Sequence, residues 1–200
     1  GEYVVLTGNM TGALLTEYIL SQKKAKGTLP ENGAVIKTIV STEMIRPMCE
    51  AYGVELMDVL TGFKFIGEKI KGFEETGSHS YIFGFEESYG CLAGTYARDK
   101  DAVVATLLIC EMAAYYKKQG MTLYDGLMAL YEKYGYYREG VKSLTMKGLD
   151  GVEKIQKIMA SFRAETPAAF AGVAVEWAKD YKTQAVSYTH LRAHETDQYL

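Results

Sequence analysis

Short β-branched and aromatic runs alternate along this chain with longer stretches whose apolar residues recur every three or four positions. The runs at 3–6, 35–40, 54–60 and 81–85 predict strands. Leu14, Leu15, Tyr18 and Ile19 share one face of a helix that Thr7-Gly8-Asn9 is placed to cap. Ser41 or Thr42 caps a second helix, which runs to Tyr52, is stopped by Gly53 and is bent in its early turns by Pro47. Thr61-Gly62-Phe63-Lys64 forms a loop before a short third helix. Residues 101–116 are apolar nearly all round (Ala102, Val103, Val104, Leu107, Leu108, Ile109, Met112), the pattern of a buried helix. Gly120 ends it, and 122–134 is an amphipathic partner. Residues 136–146 read as an extended edge segment, 151–162 as a helix, and 173–175 as a strand after the break at Pro167. Strands alternating with helices predict an α/β layer fold.

Residues 23–33, basic and punctuated by Gly27, Pro30 and Gly33, form the clearest domain boundary. At the other end, 186–196 lacks the periodic apolar spacing seen upstream and holds two of the three histidines, His190 and His194. It resembles the in-frame translation of a transposon-end sequencing adapter, so 185–200 is set aside as a non-native tail. The opening Gly1-Glu2-Tyr3, without a start methionine, reads as a truncated N-terminus.

Composition narrows the classes of function. With 48% hydrophobic residues and a net charge of -3, the chain fits a soluble globular protein and lacks the basic stripe of a nucleic-acid surface. Cys49, Cys91 and Cys110 are far apart and form no pair motif, which points to reduced thiols and a cytoplasmic setting. No apolar run approaches the roughly 18 residues of a membrane span.

The candidate chemistry sits in three loops. Gly84-Phe85-Glu86-Glu87-Ser88-Tyr89-Gly90 puts two carboxylates and a hydroxyl on a glycine-bounded turn after a strand. Arg98-Asp99-Lys100-Asp101 follows, at the mouth of the long helix, and Thr61-Gly62-Phe63-Lys64 precedes both. Carboxylates and hydroxyls at strand ends hold sugar hydroxyls, and Lys or Arg holds phosphate, so a sugar phosphate is the indicated ligand. On periodicity alone, an acidic turn without function fits equally. Other features weigh less. Thr7-Gly8-Asn9-x-x-Gly12 lacks the lysine and spacing of a phosphate loop and is read as a cap. Asp99-Lys100-Asp101 is no metal loop, because Lys100 would repel a cation. His79 is an exposed turn histidine, and Tyr131, Tyr134, Tyr136 and Tyr137 are packing residues.

These three motifs, in this order, resemble the third domain of the α-D-phosphohexomutases, in the phosphoglucomutase-like branch that includes phosphopentomutases. The opening Leu6-Thr7-Gly8-Asn9-Met10-Thr11-Gly12-Ala13-Leu14-Leu15 is similar to the end of that family's second domain, and 151–181 to the start of its fourth. The resemblance covers 1–184. It implies a three-layer α/β domain with a mixed sheet at 34–146, flanked by partial neighbours at 1–33 and 147–184. The middle alone is then expected to fold autonomously. It also implies interconversion of hexose 1-phosphate and hexose 6-phosphate, glucose first among the sugars, through a phosphoserine enzyme and a bisphosphate. Mannose and pentose phosphates, or a non-catalytic sugar-phosphate module, are the alternatives. Carried over by position, Glu86 and Ser88 grip ring hydroxyls in two orientations, and Thr61 and Gly62 form the turn that adapts to them. Lys100 is catalytic, near the transferring phosphoryl group, while Lys64 and Arg98 line or shape the pocket. Glu87 stands behind the loop. Mg2+ and a hexose bisphosphate activator are the implied cofactors. The metal's ligands, the phosphoserine loop and the phosphate-binding loop belong to family domains 1, 2 and 4, outside these 200 residues, so this chain alone is expected to be inactive.

Overall fold

The computed structural model describes residues 3–140, 145, 148–181, 183 and 185–188. They fall into two units, Gly1–Glu139 and Gly140–Leu200. In the first, β1 (Gly33–Thr38) lies between β2 (Glu55–Val59) and β3 (Ser80–Phe85), all parallel. A short antiparallel β4 (Cys91–Ala93) extends the sheet beyond β3, giving the order β2-β1-β3-β4. All six residues of β1 are buried, as a central strand covered on both faces requires. Alternation along β1 divides the core. Val35 joins Ile82, Phe83 and Phe85 on one face, while Ala34 and Ile36 join Val59 and Leu92 on the other. Ile82 and Phe83 reach the same cluster because the β1–β3 register shifts between Ala34 and Val35.

Helices α1 (Gly8–Ala25), α2 (Ile45–Tyr52), α4 (Ala102–Lys118) and α5 (Leu123–Tyr134) pack on the first face. Phe63, Ile66, Ile70 and Phe73 of α3 (Phe63–Thr76) cover the second. The result is the expected three-layer α/β fold with a mixed sheet. Thr7 caps α1 as its position predicts, its Oγ1 accepting from Met10 N at 3.2 Å. Thr122 likewise forms a reciprocal capping box with Asp125 at the start of α5.

Several expectations are overturned. The boundary at 23–33 does not divide two domains. Leu14, Leu15 and Leu20 of α1 are fully buried in the core that holds β1 and β3, so 1–33 cannot be detached from the middle. Residues 3–6 form no strand, for no neighbour pairs with them, and Tyr3, Val4 and Val5 are exposed. Neither Ser41 nor Thr42 caps α2 directly. Met44 holds that position, and Thr42 Oγ1 accepts its N–H at 3.2 Å. Pro47 is the third residue of that helix, where the N–H it lacks has no acceptor within the helix, so no bend is required. Burial of α4 is one-sided: Met112 and Tyr116 are buried, but Val103 is 79% and Leu107 59% exposed. Residues 136–140 are irregular rather than extended in a sheet, and of the rest of that segment only 145 is described.

The second unit contains α6 (Gly148–Ala164) and two hairpins, β5 (Ala169–Phe170) with β6 (Val173–Ala174) and β7 (Trp177–Asp180) with β8 (Ala185–Tyr188). Ala171 and Gly172, both at positive φ, turn the first hairpin. An open cleft of about 690 Å3 lies among Met159, Phe162, Phe170 and Trp177. The segment set aside as a tail is not wholly outside the fold, since 185–188 pair with β7. Its remainder, with His190 and His194, lies outside the described residues. Among the described residues no helix is long and apolar enough to cross a membrane.

Candidate functional site

Parallel pairing brings the C-terminal ends of β1, β2 and β3 to one edge of the sheet, where the loops after β2 and β3 carry Gly62 and Glu86. The loop after antiparallel β4 starts at the other edge and returns to this one, Asp101 N donating to Cys91 O at 3.0 Å. Gly62 ends the 60–62 loop at φ +113°, a conformation L side chains rarely adopt, and stands at the N-cap of α3. Its N–H donates to Glu86 Oε1 at 3.2 Å. A carboxylate at the end of β3 thus sits at the positive end of α3 and is buried there. Lys100 approaches the same group from the third loop. Its Nζ lies 3.9 Å from Glu86 Oε2, 3.1 Å from Asp99 Oδ1 and 5.6 Å from the Phe63 ring centroid.

The glutamate loop is held from beneath and from the side. Glu86 N donates to Gly90 O at 2.8 Å, with Tyr89 at φ +71° completing the turn. Tyr89 donates its hydroxyl to Leu6 O at 3.1 Å, and Thr38 at the end of β1 donates to Glu87 Oε2 at 3.1 Å. Gly8, opening α1, touches the loop so closely that a Cβ there would lie 1.8 Å from Glu87 O. Glu87 is therefore an anchor of the loop, and α1 is its seat.

Gly62, Glu86 and Lys100 are brought together. Thr61 and Ser88 stand exposed at the rim, with no side-chain hydrogen bond among the described residues. Lys64 is exposed too, its Nζ 4.9 Å from the Phe65 ring centroid. Arg98 is engaged elsewhere. Its guanidinium donates to Thr95 O at 2.6 Å and Ala97 O at 3.2 Å and pairs with Glu74 of α3, so it ties the 94–101 loop down. Asp101 caps α4 through Val103 N (2.8 Å) and Val104 N (3.2 Å). The Tyr96 hydroxyl, followed by the Val104 N–H, holds its carboxyl below the ordinary range. The Lys100 backbone N–H and then its ammonium do the same for Asp99. His79 lies at the other edge of the sheet, its Nε2 2.8 Å from Glu55 Oε2. A cavity of only about 40 Å3 opens behind the glutamate loop, room for about one water, so the site is a wall rather than a pocket.

Pattern reading missed the ionic floor beside this wall. Lys37, fully buried in β1, has its Nζ 2.8 Å from Glu43 Oε1 and 2.8 Å from Asp58 Oδ1, and Arg46 pairs with both acids. A lysine inside the run Val35-Ile36-Lys37-Thr38 was the available signal, since a buried cation demands partners. Asn9 serves structure, accepting from Thr42 N at 3.1 Å. Among the described residues no group of three or more His, Cys, Asp or Glu side chains is placed to hold a metal ion. The acids of the floor are occupied by Lys37 and Arg46 and do not fit Mg2+.

Comparison with known proteins agrees with this architecture. Residues 7–134 match the family model described as phosphoglucomutase/phosphomannomutase, alpha/beta/alpha domain III. The chain is 37% identical over 186 residues to phosphoglucomutases of Staphylococcus aureus strains bovine RF122 / ET3-1 and MRSA252, covering 93% of this chain and 33% of each relative. It thus spans about a third of the length of the curated relatives it matches. A crystal structure from Thermus thermophilus, provisionally named a phosphomannomutase, aligns with 62% of this chain and 25% of its own, at 22% identity and a TM-score of 0.47. With more than half its residues matched by domain III, and with that domain's mixed sheet in place, the chain belongs to the phosphoglucomutase/phosphomannomutase family.

Proposed function

We propose that this chain supplies the sugar-contacting domain of a phosphosugar mutase that interconverts hexose 1-phosphate and hexose 6-phosphate, with glucose as the sugar. The observation that carries this reading is the convergence of Gly62, Glu86 and Lys100 from three loops on one sheet edge. Glu86 accepts from ring hydroxyls, Ser88 accepts from or donates to them, and the Thr61-Gly62 turn borders both. Carboxylate and hydroxyl contacts are tolerant of which ring face is presented, which suits a substrate that must be bound in two orientations. Lys100, half-exposed beside Glu86, supplies positive charge toward a phosphoryl group. Lys64 borders the site, and Arg98 shapes it through Glu74 and the 94–101 backbone.

In this reading the phosphorylated serine, the Mg2+ ligands and a second phosphate-binding loop belong to other domains of a longer polypeptide, and 147–184 begins the next one. The wall-like geometry supports this, because the cavity behind the Glu86 loop, about 40 Å3, is too small to enclose a sugar. Phosphoryl transfer is mostly positioning and charge stabilisation, and the residues here contribute the positioning. Titrating glucose 1-phosphate into the 200-residue chain is expected to shift the amide resonances of Gly62, Glu86, Ser88 and Lys100 without producing glucose 6-phosphate. Shifts confined to other residues would refute the site, and measurable turnover by this chain would refute the division of labour.

A further inference from the structure

Tyr89 stands at φ +71°, in the left-handed region that a bulky side chain enters only with strain. Elsewhere among the described residues glycines fill that region, Ala171 in its hairpin turn excepted. A glycine is next door, but it serves another end. A Cβ on Gly90 would lie 2.6 Å from Lys100 Cδ and 3.0 Å from Glu86 Oε2, so its bareness is what lets those two side chains close over the backbone. The strained position of the turn is left to a tyrosine. Packing does not account for the choice, since Tyr89 is 60% exposed. What the side chain offers is reach: its hydroxyl donates to Leu6 O at 3.1 Å, in the stretch before α1.

Ser88 lies between two anchored residues. Before it, Glu87 accepts from Thr38 Oγ1 at 3.1 Å, and its carbonyl presses on Gly8. After it, the Tyr89 backbone N lies 2.9 Å from where a Cβ on Gly8 would stand, and the Tyr89 hydroxyl reaches on to Leu6. Ser88 is exposed and has no side-chain hydrogen bond of its own among the described residues, so its direction comes from these neighbours. We propose that Tyr89 is a positioning residue: its hydroxyl, tied to Leu6 O, keeps the strained turn closed and aims the Ser88 hydroxyl at a ring hydroxyl of the sugar. This rests on the proposed role of the loop in sugar contact. Strain of this kind persists where the surroundings fix a shape that function needs, and the Leu6 tether is the part of those surroundings that the side chain itself supplies.

Tyr89→Phe removes the bond while keeping the ring, and two measurements on the 200-residue chain read the result. Without ligand, the Glu86 amide, which donates to Gly90 O at 2.8 Å, reports how often the turn opens, and its hydrogen exchange is expected to be about fivefold faster in the variant. With ligand, Tyr89→Phe and Ser88→Ala are each expected to weaken glucose 1-phosphate binding about fivefold. The double variant is expected to bind no more weakly than Ser88→Ala alone, because the tyrosine acts through the serine. That non-additivity is a readout that a merely structural tyrosine would not give. An unchanged Glu86 exchange rate in Tyr89→Phe would overturn the proposal, as would losses of affinity that add in the double variant. Binding that survives Ser88→Ala but not Glu86→Ala would overturn it alone, leaving the proposed function standing. A wild-type chain that does not respond to glucose 1-phosphate would refute the proposed function, while the exchange comparison still decides whether Tyr89 holds the turn.

Discussion

Glu17 and Glu86 are both buried carboxylates, and their surroundings differ in one respect: how many of their acceptor positions are filled. Glu17, on α1, accepts the Tyr52 hydroxyl at 2.9 Å and the Lys133 ammonium at 2.8 Å on Oε1, and the Tyr134 hydroxyl at 2.8 Å on Oε2. Those partners come from α2 and α5, so one side chain fastens three helices. The Glu86 carboxylate accepts one N–H, from Gly62, and meets Lys100 only at 3.9 Å. An ionised carboxylate offers about four acceptor positions, so Glu86 retains capacity that Glu17 has spent. A saturated buried acid belongs to the scaffold, whereas one with spare capacity at a loop junction is ready for a ligand's hydroxyls.

Replacing each acid in turn tests the contrast, and the largest effect belongs to Glu17. Glu17→Ala strands Lys133 and two tyrosine hydroxyls in a partly buried cluster, and a loss of about 3 kcal/mol of stability is expected in urea unfolding. Glu86→Ala removes one cap-like bond, so a loss of under about 1 kcal/mol is expected, together with the disappearance of the glucose 1-phosphate response. Equal destabilisation by the two substitutions would make Glu86 a scaffold residue and dissolve the comparison.

Alkaline pH probes the saturated side more gently. Burial, and then the charge of Glu17, raises the phenol pKa values of Tyr52 and Tyr116, the latter to about 12. Tyr134 is raised by burial and then by its hydrogen bond to Glu17. Burial opposes the charge on Lys133 most strongly of any single cause, but the hydrogen bond to Glu17, the charge of Glu17 and the contribution of Tyr52 together outweigh it, and its pKa rises too. In each case the folded state keeps a proton that the unfolded chain releases near pH 10. The associated stability is therefore complete below about pH 10 and is lost as pH climbs through the raised values. Melting temperature followed by circular dichroism should fall over that window, and Glu17→Gln should make the fall shallower. An identical slope in Glu17→Gln would detach the tyrosines from Glu17.

The two acids also differ in how legible they were. Glu86 could be read because its chemistry is local: a strand, a glycine-bounded turn and a hydroxyl two residues on. Loops after parallel strands gather at one edge of the sheet whatever their spacing, which is why Thr61-Gly62 lies with it, whereas Lys100 follows antiparallel β4 and its loop returns to that edge. Glu17 was hidden because Tyr52, Lys133 and Tyr134 lie 35 to 117 residues away, and no period of one helix encodes them. Lys37 shares that difficulty, for its acids sit on the α2 approach and on β2. Thr7 was legible as a cap because capping needs only a few consecutive residues. The apolar run of α4 misled, since composition announces burial without saying which side of the helix is covered. The break at Gly27 and Pro30 likewise marked a turn into β1, and only the burial of Leu14, Leu15 and Leu20 tells a turn from a domain boundary.

Thr38→Val lies between the extremes. The Thr38 hydroxyl is fully buried, donates to Glu87 and shares a 2.8 Å contact with Ser41. Its loss leaves two polar groups short of a partner, and about 1–2 kcal/mol is expected in urea unfolding. Because Glu87 anchors the loop that carries Glu86, the glucose 1-phosphate response should weaken without vanishing. A wild-type response in this variant would show that the loop keeps its shape without Thr38.

Lys100→Met should have the smallest effect on stability and so isolates function most cleanly. Its ammonium is about half exposed, with side-chain exposure of 49%, and its partners are Asp99 at 3.1 Å and Glu86 at 3.9 Å. Pairs of this kind contribute little, so unfolding is expected to change by no more than about 0.5 kcal/mol. The methionine keeps most of the apolar stem against Phe63 while removing the charge. If the charge serves a phosphoryl group, the variant loses its response to glucose 1-phosphate but not to glucose at matched saturation. A protein that loses both has lost the shape of the wall, and one that loses neither has its phosphate held elsewhere. Only the selective loss places Lys100 with the spare carboxylate of Glu86 in one site, apart from the closed network of Glu17.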